Sequence, residues 1–471
     1  MPSASAPPTL EYSRAGESSV DGRDSIAFVL GAIMLLGFAL RMGVILYLRS
    51  WENPGAMEHR AIALALINGL GFSFGDFNSF GPTSVQSPPY PFILSAFIWV
   101  FGDHRMGDYV LDTPAAYVAI MTFNALIGAL GIWLTYSLTR VLGGSAIVAL
   151  LAAGMCAVWP TQIYAPSHAQ AITLITAGTT AIILLYYRSV RAGRLLPWVA
   201  FSVIGVLSAL TEPVLLPIVA LSGLLILACR NLSLSIRLRN AAILLVAALV
   251  IIGPWTLRNH RVHGQWIPIK STFWVNFWKG NNNFATGTDR VQATAAQLQQ
   301  FQDEGFSLGD DLRDRDVPHQ YAMLTPGQRA LLKGQPEARR EAIFKDISTT
   351  WMKAHPKRYV ELCFIRLYKT IWIDYDNPKS SSIVYIVSRA VLLTLTAGGL
   401  LLAIRQRWSL AYPGLVIGSC LLLYCLTITA ARFTIPFEPL QFCLGGLLLA
   451  TLCDRVLGTH HANSKLAEAA A

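Results

Sequence analysis

The sequence predicts an all-α polytopic membrane protein, because its apolar residues are numerous and lie in long blocks. Of 471 residues, 54% are hydrophobic and 14% are charged, and the mean hydropathy is +0.47. A soluble chain would carry about 25% charged residues. This composition excludes a disordered protein, a secreted disulfide scaffold and a nucleic-acid-binding module. The formal charge of +10 is dispersed along the chain rather than gathered in one basic run.

About ten apolar blocks are long enough to cross a membrane as helices. The run 90–101 is excluded because it has 12 residues, against roughly 20 for a crossing. It begins at a cluster of prolines, so we predict an interfacial or re-entrant helix there. The predicted spans are 26–48, 115–138, 145–163, 169–187, 195–210, 213–229, 240–257, 381–404, 409–430 and 433–453.

The distribution of basic residues predicts the orientation of these spans. With the N-terminus inside, the cytoplasmic segments hold 13 Lys and Arg residues, whereas the short outer loops hold one, Arg432. Counting 90–101 as a span would place the basic loops 188–194 and 230–239 outside. Length and charge therefore both predict that 90–101 does not cross, and that the large loops face the periplasm or exterior.

This orientation divides the chain into five parts. A polar cytoplasmic tail (1–25) precedes an N-terminal transmembrane catalytic module (26–257), whose first outer loop covers 49–114. A large outer loop (258–380) follows the seventh span. Transmembrane helices (381–453) and a cytoplasmic tail (454–471) complete the chain. Long loops on one face commonly carry function, so we expect the site on the outer side.

The first outer loop offers a carboxylate at the membrane surface. Glu58 lies in the first turn of an apolar helix that ends at Asn68-Gly69, a typical C-cap. A partly desolvated carboxylate there can act as a general base. The alternative is that Glu58 only stabilises the N-terminus of an interfacial helix.

Two groups of motifs resemble the GT-C membrane glycosyltransferases, in particular glycosyltransferase family 39 and its bacterial relatives. These relatives include protein O-mannosyltransferases and aminoarabinose lipid A transferases. The resemblance runs in order over residues 26–450. In the first loop its motifs are Glu58, Gly69-x-Gly71-Phe72, Gly81-Pro82-Thr83, Pro88-Pro89-Tyr90-Pro91 and Phe101-Gly102. Later in the chain they are Pro254-Trp255-x-x-Arg258-Asn259, Lys279-Gly280-Asn281, His355-Pro356…Arg366 and Arg432-Phe433…Pro436.

The resemblance implies a GT-C-type fold and a reaction in which a polyprenyl-phosphate-linked sugar is the donor. It implies that Glu58 is the catalytic base. Cations at the outer surface would then hold the donor phosphate, and Arg258, Lys279 and Arg432 are the candidates. Two alternatives remain open: Arg258 can simply snorkel to the interface, and Arg432 can pair with Glu438. The candidate substrate-binding residues are His59, Tyr90, Asn259, Asn281 and His168.

The predicted function is therefore a membrane glycosyltransferase that transfers a sugar to a hydroxyl of a lipid, glycan or protein acceptor at the periplasmic face. The sequence has no His/Cys cluster at metal-ligand spacing, so no cofactor is predicted with certainty, and a divalent cation remains possible. Where the lipid A branch has a Lys before the paired prolines, this chain has Gln86-Ser87. The alternatives are a periplasmic glycan polymerase or ligase, and a lipid-linked sugar transporter or flippase.

Overall fold

The computed structural model describes residues 20–470, apart from 77–78, 107–108, 193–194 and most of 290–322. Most of the predicted N-terminal tail (1–25) and the centre of the large outer loop therefore lie outside the described residues. Within them the chain is almost entirely helical, as the sequence predicted, so the protein is an all-α polytopic membrane protein.

The helices and strands fall into three consecutive parts of the chain. The first part contains α1 (Val20–Tyr47), α2 (Met57–Ile67), β1 (Ser73–Asp76), β2 (Ser79–Pro82), α3 (Pro89–Phe101), β3 (Asp103–Met106), β4 (Tyr109–Leu111) and α4 (Pro114–Leu142). The next contains α5 (Ala146–Val158), α6 (Pro160–Tyr164), α7 (Ile172–Ala192), α8 (Leu195–Thr211), α9 (Leu216–Ala228), α10 (Leu234–Ile251) and α11 (Gly253–His263). The last contains α12 (Phe273–Gly280), α13 (Pro326–Leu332), α14 (Glu337–Ala354), α15 (Pro356–Ile371), α16 (Ile383–Arg405), α17 (Ala411–Leu426) and α18 (Glu438–Ala470).

Helices occupy all ten predicted spans, but they differ in length. Among the described residues, six helical segments are long and apolar enough to cross a membrane, and the bent pair α5–α6 makes a seventh. Helices α8, α9 and α17 have 17, 13 and 16 residues, fewer than the roughly 20 of a full crossing. The count of ten spans stays a prediction for these three. Helix α3 is short, as expected, with 13 residues.

The first outer loop also contains two antiparallel hairpins that the sequence did not predict. Strand β1 pairs with β2, with Ser73 opposite Pro82, and β3 pairs with β4, with Asp103 opposite Leu111. The apolar face of α2 packs against α3, which buries Tyr90 and Leu94. The loop is therefore a folded unit rather than a flexible connection.

Arg41 has a structural role that the sequence did not reveal. From the sequence, an Arg this close to the end of a span is expected to snorkel to the interface, but this expectation is wrong, because Arg41 is fully buried. Pro160 follows the end of α5 and leaves carbonyl groups of its last turn without helical donors. Arg41 donates to two of them, Cys156 O at 3.1 Å and Ala157 O at 3.4 Å. The guanidinium thus stabilises the 54° bend between α5 and α6.

We predict that Arg41→Met lowers the free energy of unfolding by about 2 kcal/mol, because buried carbonyls lose charged hydrogen-bond donors. Thermal unfolding in detergent measures this change. The matched control is Arg49→Met, whose side chain is 70% exposed and should alter stability little. Equal melting temperatures for the two variants would contradict the assigned role.

Candidate active site

Glu58 lies in the first turn of α2 and remains partly exposed to solvent. Its Oε2 accepts a hydrogen bond from Gln86 Nε2 at 3.3 Å. The preceding residue, Met57, adopts a left-handed conformation with φ of 46°, which is rare for a residue with a side chain. Such backbone strain concentrates at functional sites. A salt bridge from Arg60 to Asp112 at 2.7 Å joins α2 to the segment after β4.

The surroundings of Glu58 favour its ionised form. Burial alone raises the pKa of this carboxyl, but a backbone hydrogen bond and the electrostatic effects of His59, Lys279 and Lys270 outweigh burial, so the pKa lies below its usual value. Burial lowers the pKa of His59 to about 4, despite the adjacent carboxylate. At neutral pH the site therefore holds a carboxylate next to a neutral imidazole.

Cations from the later outer segment gather around this pair. Lys270 and Lys279 act on Glu58, and Lys270 and Arg432 act on His59. Because charges influence one another strongly only at short range, these side chains lie near one another. Lys279 occupies the last turn of α12. Lys270 resembles an ordinary loop charge in the sequence, and only the fold reveals its position.

Arg432 does not pair with Glu438, which was one of the two alternatives for it. Glu438 is buried and accepts hydrogen bonds from Thr161 Oγ1 at 2.6 Å and Gln162 Nε2 at 2.7 Å. Arg432 instead lies 3.6 Å from Asp289 and is 46% exposed along its side chain. An exposed guanidinium with one distant carboxylate partner remains available to an anionic ligand.

Arg258 is engaged by the protein itself. Its Nη1 donates to Thr83 O at 2.5 Å and its Nη2 to Phe72 O at 2.9 Å. The guanidinium also lies over the rings of Phe72 and Trp255, at 5.5 and 4.9 Å. Arg258 therefore holds the first outer loop against α11. Among the described charges, Lys279 and Lys270 rather than Arg258 act on the carboxylate of Glu58.

Two of the predicted substrate-binding amides also have structural contacts. Asn259 and Asn281 are fully buried. Asn259 Nδ2 donates to the carbonyls of Ile267 and Ile269, at 3.0 and 3.2 Å. Asn281 Nδ2 donates to Phe277 O at 2.8 Å, and its Oδ1 accepts from Arg366 at 3.1 Å. These bonds account for both amides without a ligand.

Tyr90 and His168 are linked to each other through Asn124. Asn124 Nδ2 donates to Tyr90 Oη and to His168 O, both at 3.0 Å. The ring of Tyr90 meets His59 edge-on, with centroids 5.2 Å apart. The structure thus groups Glu58, His59 and Tyr90, and it connects His168 to them through one side chain.

Glu337 is the main residue of this region that sequence reasoning missed. Its carboxylate accepts hydrogen bonds from Thr83 Oγ1 at 2.5 Å, Ser84 N at 2.9 Å and the Ser271 hydroxyl. His263 Nε2 lies 3.6 Å away. Ser84 Oγ is 2.8 Å from His263 Nε2, which resembles a nucleophile–base pair. Ser84 is fully buried, however, so its hydroxyl serves the loop contact.

Glu341, one turn further along α14, anchors α12. Its carboxylate accepts from Trp274 N at 2.8 Å and Val275 N at 3.2 Å, at the N-terminus of that helix. Burial raises the pKa of Glu341 to about 7, and the nearby charge of Glu337 adds to this. The position of Lys279 therefore depends on a carboxyl that titrates near neutral pH.

No group of three or more His, Cys, Asp or Glu side chains is arranged to hold a metal ion in the part of the chain that the structure describes.

Comparisons with known proteins come from structure alone, because no protein-family model and no curated protein sequence matches the chain. The chain is similar to the oligosaccharyltransferase of Archaeoglobus fulgidus in its apo form, with 14% identity over 95% of this chain and 53% of that one, and a TM-score of 0.45. It is also similar to ArnT from Cupriavidus metallidurans bound to undecaprenyl phosphate, with 13% identity over 89% and 77% of the two chains and a TM-score of 0.39.

Both proteins are GT-C glycosyltransferases, the class that the sequence motifs resemble. The chain spans about half the length of the oligosaccharyltransferase.

We predict that Glu341→Gln flattens the pH dependence of stability. A carboxyl whose pKa is raised in the folded state destabilises that state as pH rises from 4.5 to about 7. The effect is up to about 3 kcal/mol. Thermal unfolding at both pH values, in the wild type and the variant, measures it.

Glu361→Gln is the matched control, since Glu361 is 58% exposed along its side chain. An unchanged pH dependence of stability in Glu341→Gln would show that the carboxyl of Glu341 does not titrate between pH 4.5 and about 7.

Proposed function

We propose that this protein is a membrane glycosyltransferase that moves a sugar from a polyprenyl-phosphate donor to an acceptor hydroxyl at the outer face. One observation carries the proposal: Lys270 and Lys279 lie close enough to the carboxylate of Glu58 to favour its charged form and lower its pKa, and Arg432 lies near the adjoining His59. A base beside a group of cations suits a reaction in which a hydroxyl loses a proton while a phosphate gains charge.

The reaction would proceed as a single displacement with inversion. The acceptor oxygen attacks the anomeric carbon, and the bond between that carbon and the phosphate oxygen breaks. Glu58 takes the acceptor proton. Lys270, Lys279 and Arg432 stabilise the departing lipid phosphate by charge-assisted hydrogen bonds. His59, neutral at this pH, lies next to the carboxylate, and the buried ring of Tyr90 holds His59 in place by an edge-on contact.

An apolar hollow near the interfacial helix suits the lipid tail of the donor. It has a volume of about 410 Å³ and lies between α3, α8 and the junction of α10 with α11. Its lining is formed by Pro88, Pro89, Phe92, Leu207, Leu210, Ile251, Pro254 and Trp255. Arg258 stacks on Trp255 at the edge of this hollow. Since its Nη1 and Nη2 already bind loop carbonyls, we assign Arg258 to positioning the loop rather than to direct phosphate contact.

The transporter alternative would require polar groups open to a path through the spans. The charged residues inside the described spans have local partners instead. Arg41 binds helix-end carbonyls, and Glu438 binds Thr161 and Gln162. Arg389 likewise donates to Thr370 O and Ile371 O, at 2.9 and 2.8 Å. These contacts favour chemistry at the outer surface over transport.

We predict that Glu58→Gln reduces sugar transfer by about 10²- to 10⁴-fold, the usual contribution of a general base. Mass spectrometry of surface glycans and glycolipids, in a deletion strain complemented with each variant, measures transfer. Glu52→Gln is the matched control, because Glu52 lies in the same loop and is 60% exposed. Normal glycosylation by Glu58→Gln, at equal protein level, would refute the assignment and favour a polymerase or ligase independent of this carboxylate.

We predict that Lys279→Met both slows transfer and moves the acidic limb of the pH–rate profile to higher pH. Lys279 lowers the pKa of Glu58, so removing its charge allows that pKa to rise. The profile of transfer rate against pH, recorded in purified membranes, measures both effects. Lys353→Met, at an exposed position of α14, serves as control. A slower reaction with an unmoved acidic limb would show that Lys279 does not lower the pKa of Glu58.

A further inference from the structure

A second hollow lies in the large outer segment, between α12 and α14 and beside the N-terminus of α13. Its volume is about 410 Å³, which falls within the range of small-ligand sites. The residues that matter for its chemistry are Trp278, Asn283, Gln328, Asp346, Trp351 and His355. The proposed reaction uses none of them.

The aromatic side of this hollow is held rigidly. Trp351 Nε1 donates to Asn283 Oδ1 at 2.7 Å, which fixes the orientation of the indole. The ring of His355 stacks beside it, with centroids 5.3 Å apart and an angle of 24° between the planes. Trp278, almost fully buried, packs on Phe344 at 5.2 Å and forms the base. A ligand therefore meets preformed aromatic surfaces.

The polar side offers hydrogen-bond donors and an acceptor. Gln328 Oε1 accepts from Thr325 N at 2.9 Å in a capping box. This bond uses the amide oxygen, so the amide NH₂ of Gln328 can donate to a ligand. Asn283 likewise uses its Oδ1 for Trp351, which leaves its NH₂ as a donor. Asp346 is exposed and adds a carboxylate. Amides and a carboxylate around rigid rings can satisfy several hydroxyl groups at once.

These features select one class of ligand. Among the described residues that line the hollow there is no Lys or Arg, so a phosphate or another anionic group lacks a counter-charge. The polar groups make the hollow unsuitable for a prenyl tail. A pyranose ring has an apolar C–H face for Trp351 and hydroxyls for the amides and the carboxylate. The chemistry therefore fits a neutral saccharide.

Helix α12 connects this hollow with the candidate active site. Trp278 faces the hollow, and the next residue, Lys279, acts on the charge of Glu58. Glu341 holds the N-terminus of the same helix. A saccharide in this hollow thus contacts both Trp351 of α14 and the helix α12 that carries a proposed phosphate-binding residue.

We propose that the hollow between α12 and α14 binds the saccharide part of the acceptor, so that the acceptor is a glycan or glycolipid. This inference rests on the proposed glycosyltransferase function and narrows its acceptor class. The donor sugar binds at Glu58, and the hollow holds a neighbouring unit of the chain that receives it.

Saturation-transfer NMR on the full chain in detergent tests binding, with tetrasaccharides of glucose, mannose, galactose and N-acetylglucosamine as probes. We expect transfer to pyranose ring protons of at least one probe. Trp351→Ala should weaken binding about tenfold, as loss of a central aromatic contact does. Trp266→Ala is the matched control, because Trp266 is 69% exposed and stacks on His260 outside the hollow. Asp346→Asn, a change of equal size at an exposed site, should weaken binding without affecting folding.

The proposal fails if no probe receives saturation from the wild type, or if Trp351→Ala and Asp346→Asn bind as the wild type does. Glu58→Gln should retain binding, which separates this test from that of the proposed function. Saccharide binding in a protein without transferase activity would remove the function and leave the hollow as a lectin-like site. Transferase activity without saccharide binding would leave the proposed function standing and refute the saccharide site in the hollow.

Discussion

The contact between Glu337 and the first outer loop organises the outer half of this protein. One carboxylate receives hydrogen bonds from Thr83, Ser84 and Ser271, and these residues come from two segments far apart in sequence. Arg258 secures the same loop by binding Thr83 O and Phe72 O. Two residues beyond Ser84, Gln86 holds the carboxylate of Glu58. The placement of the proposed base therefore depends on a buried acid that takes no part in the chemistry.

The bilayer explains why the charged side chains inside the spans bind other groups of the protein. Within a hydrocarbon layer a charged side chain persists where protein groups replace water. Arg41 does this by binding the carbonyls that Pro160 leaves without donors, and Arg389 does it at the end of α15. Glu438 meets Thr161 and Gln162 in the same way. All three charges stabilise breaks or ends of helices, so a charge within a span of this protein marks irregular backbone.

Length and hydropathy were sufficient to predict helices at all ten apolar blocks, because each block lies in one stretch of sequence; three of these helices are shorter than a full crossing. The same argument located α3 as a short helix. The position of Glu58 at the start of a loop helix was predictable. Its role as base, and the phosphate-binding roles of Lys279 and Arg432 that the motif resemblance implies, stay predictions. Glu337 and Lys270 could not be predicted, because their roles arise from tertiary contacts without a local pattern. Arg258 and Asn259 carry the motif, but their side chains bind the protein.

The sequence separation of the two halves of the Thr83–Glu337 contact has a consequence for biogenesis. The ribosome completes the first outer loop long before it reaches the acid that receives this loop, and several membrane helices must insert in between. Until then Thr83 and Ser84 have no carboxylate to bind. The first outer loop therefore acquires its contact with Glu337 only after most of the chain has been synthesised.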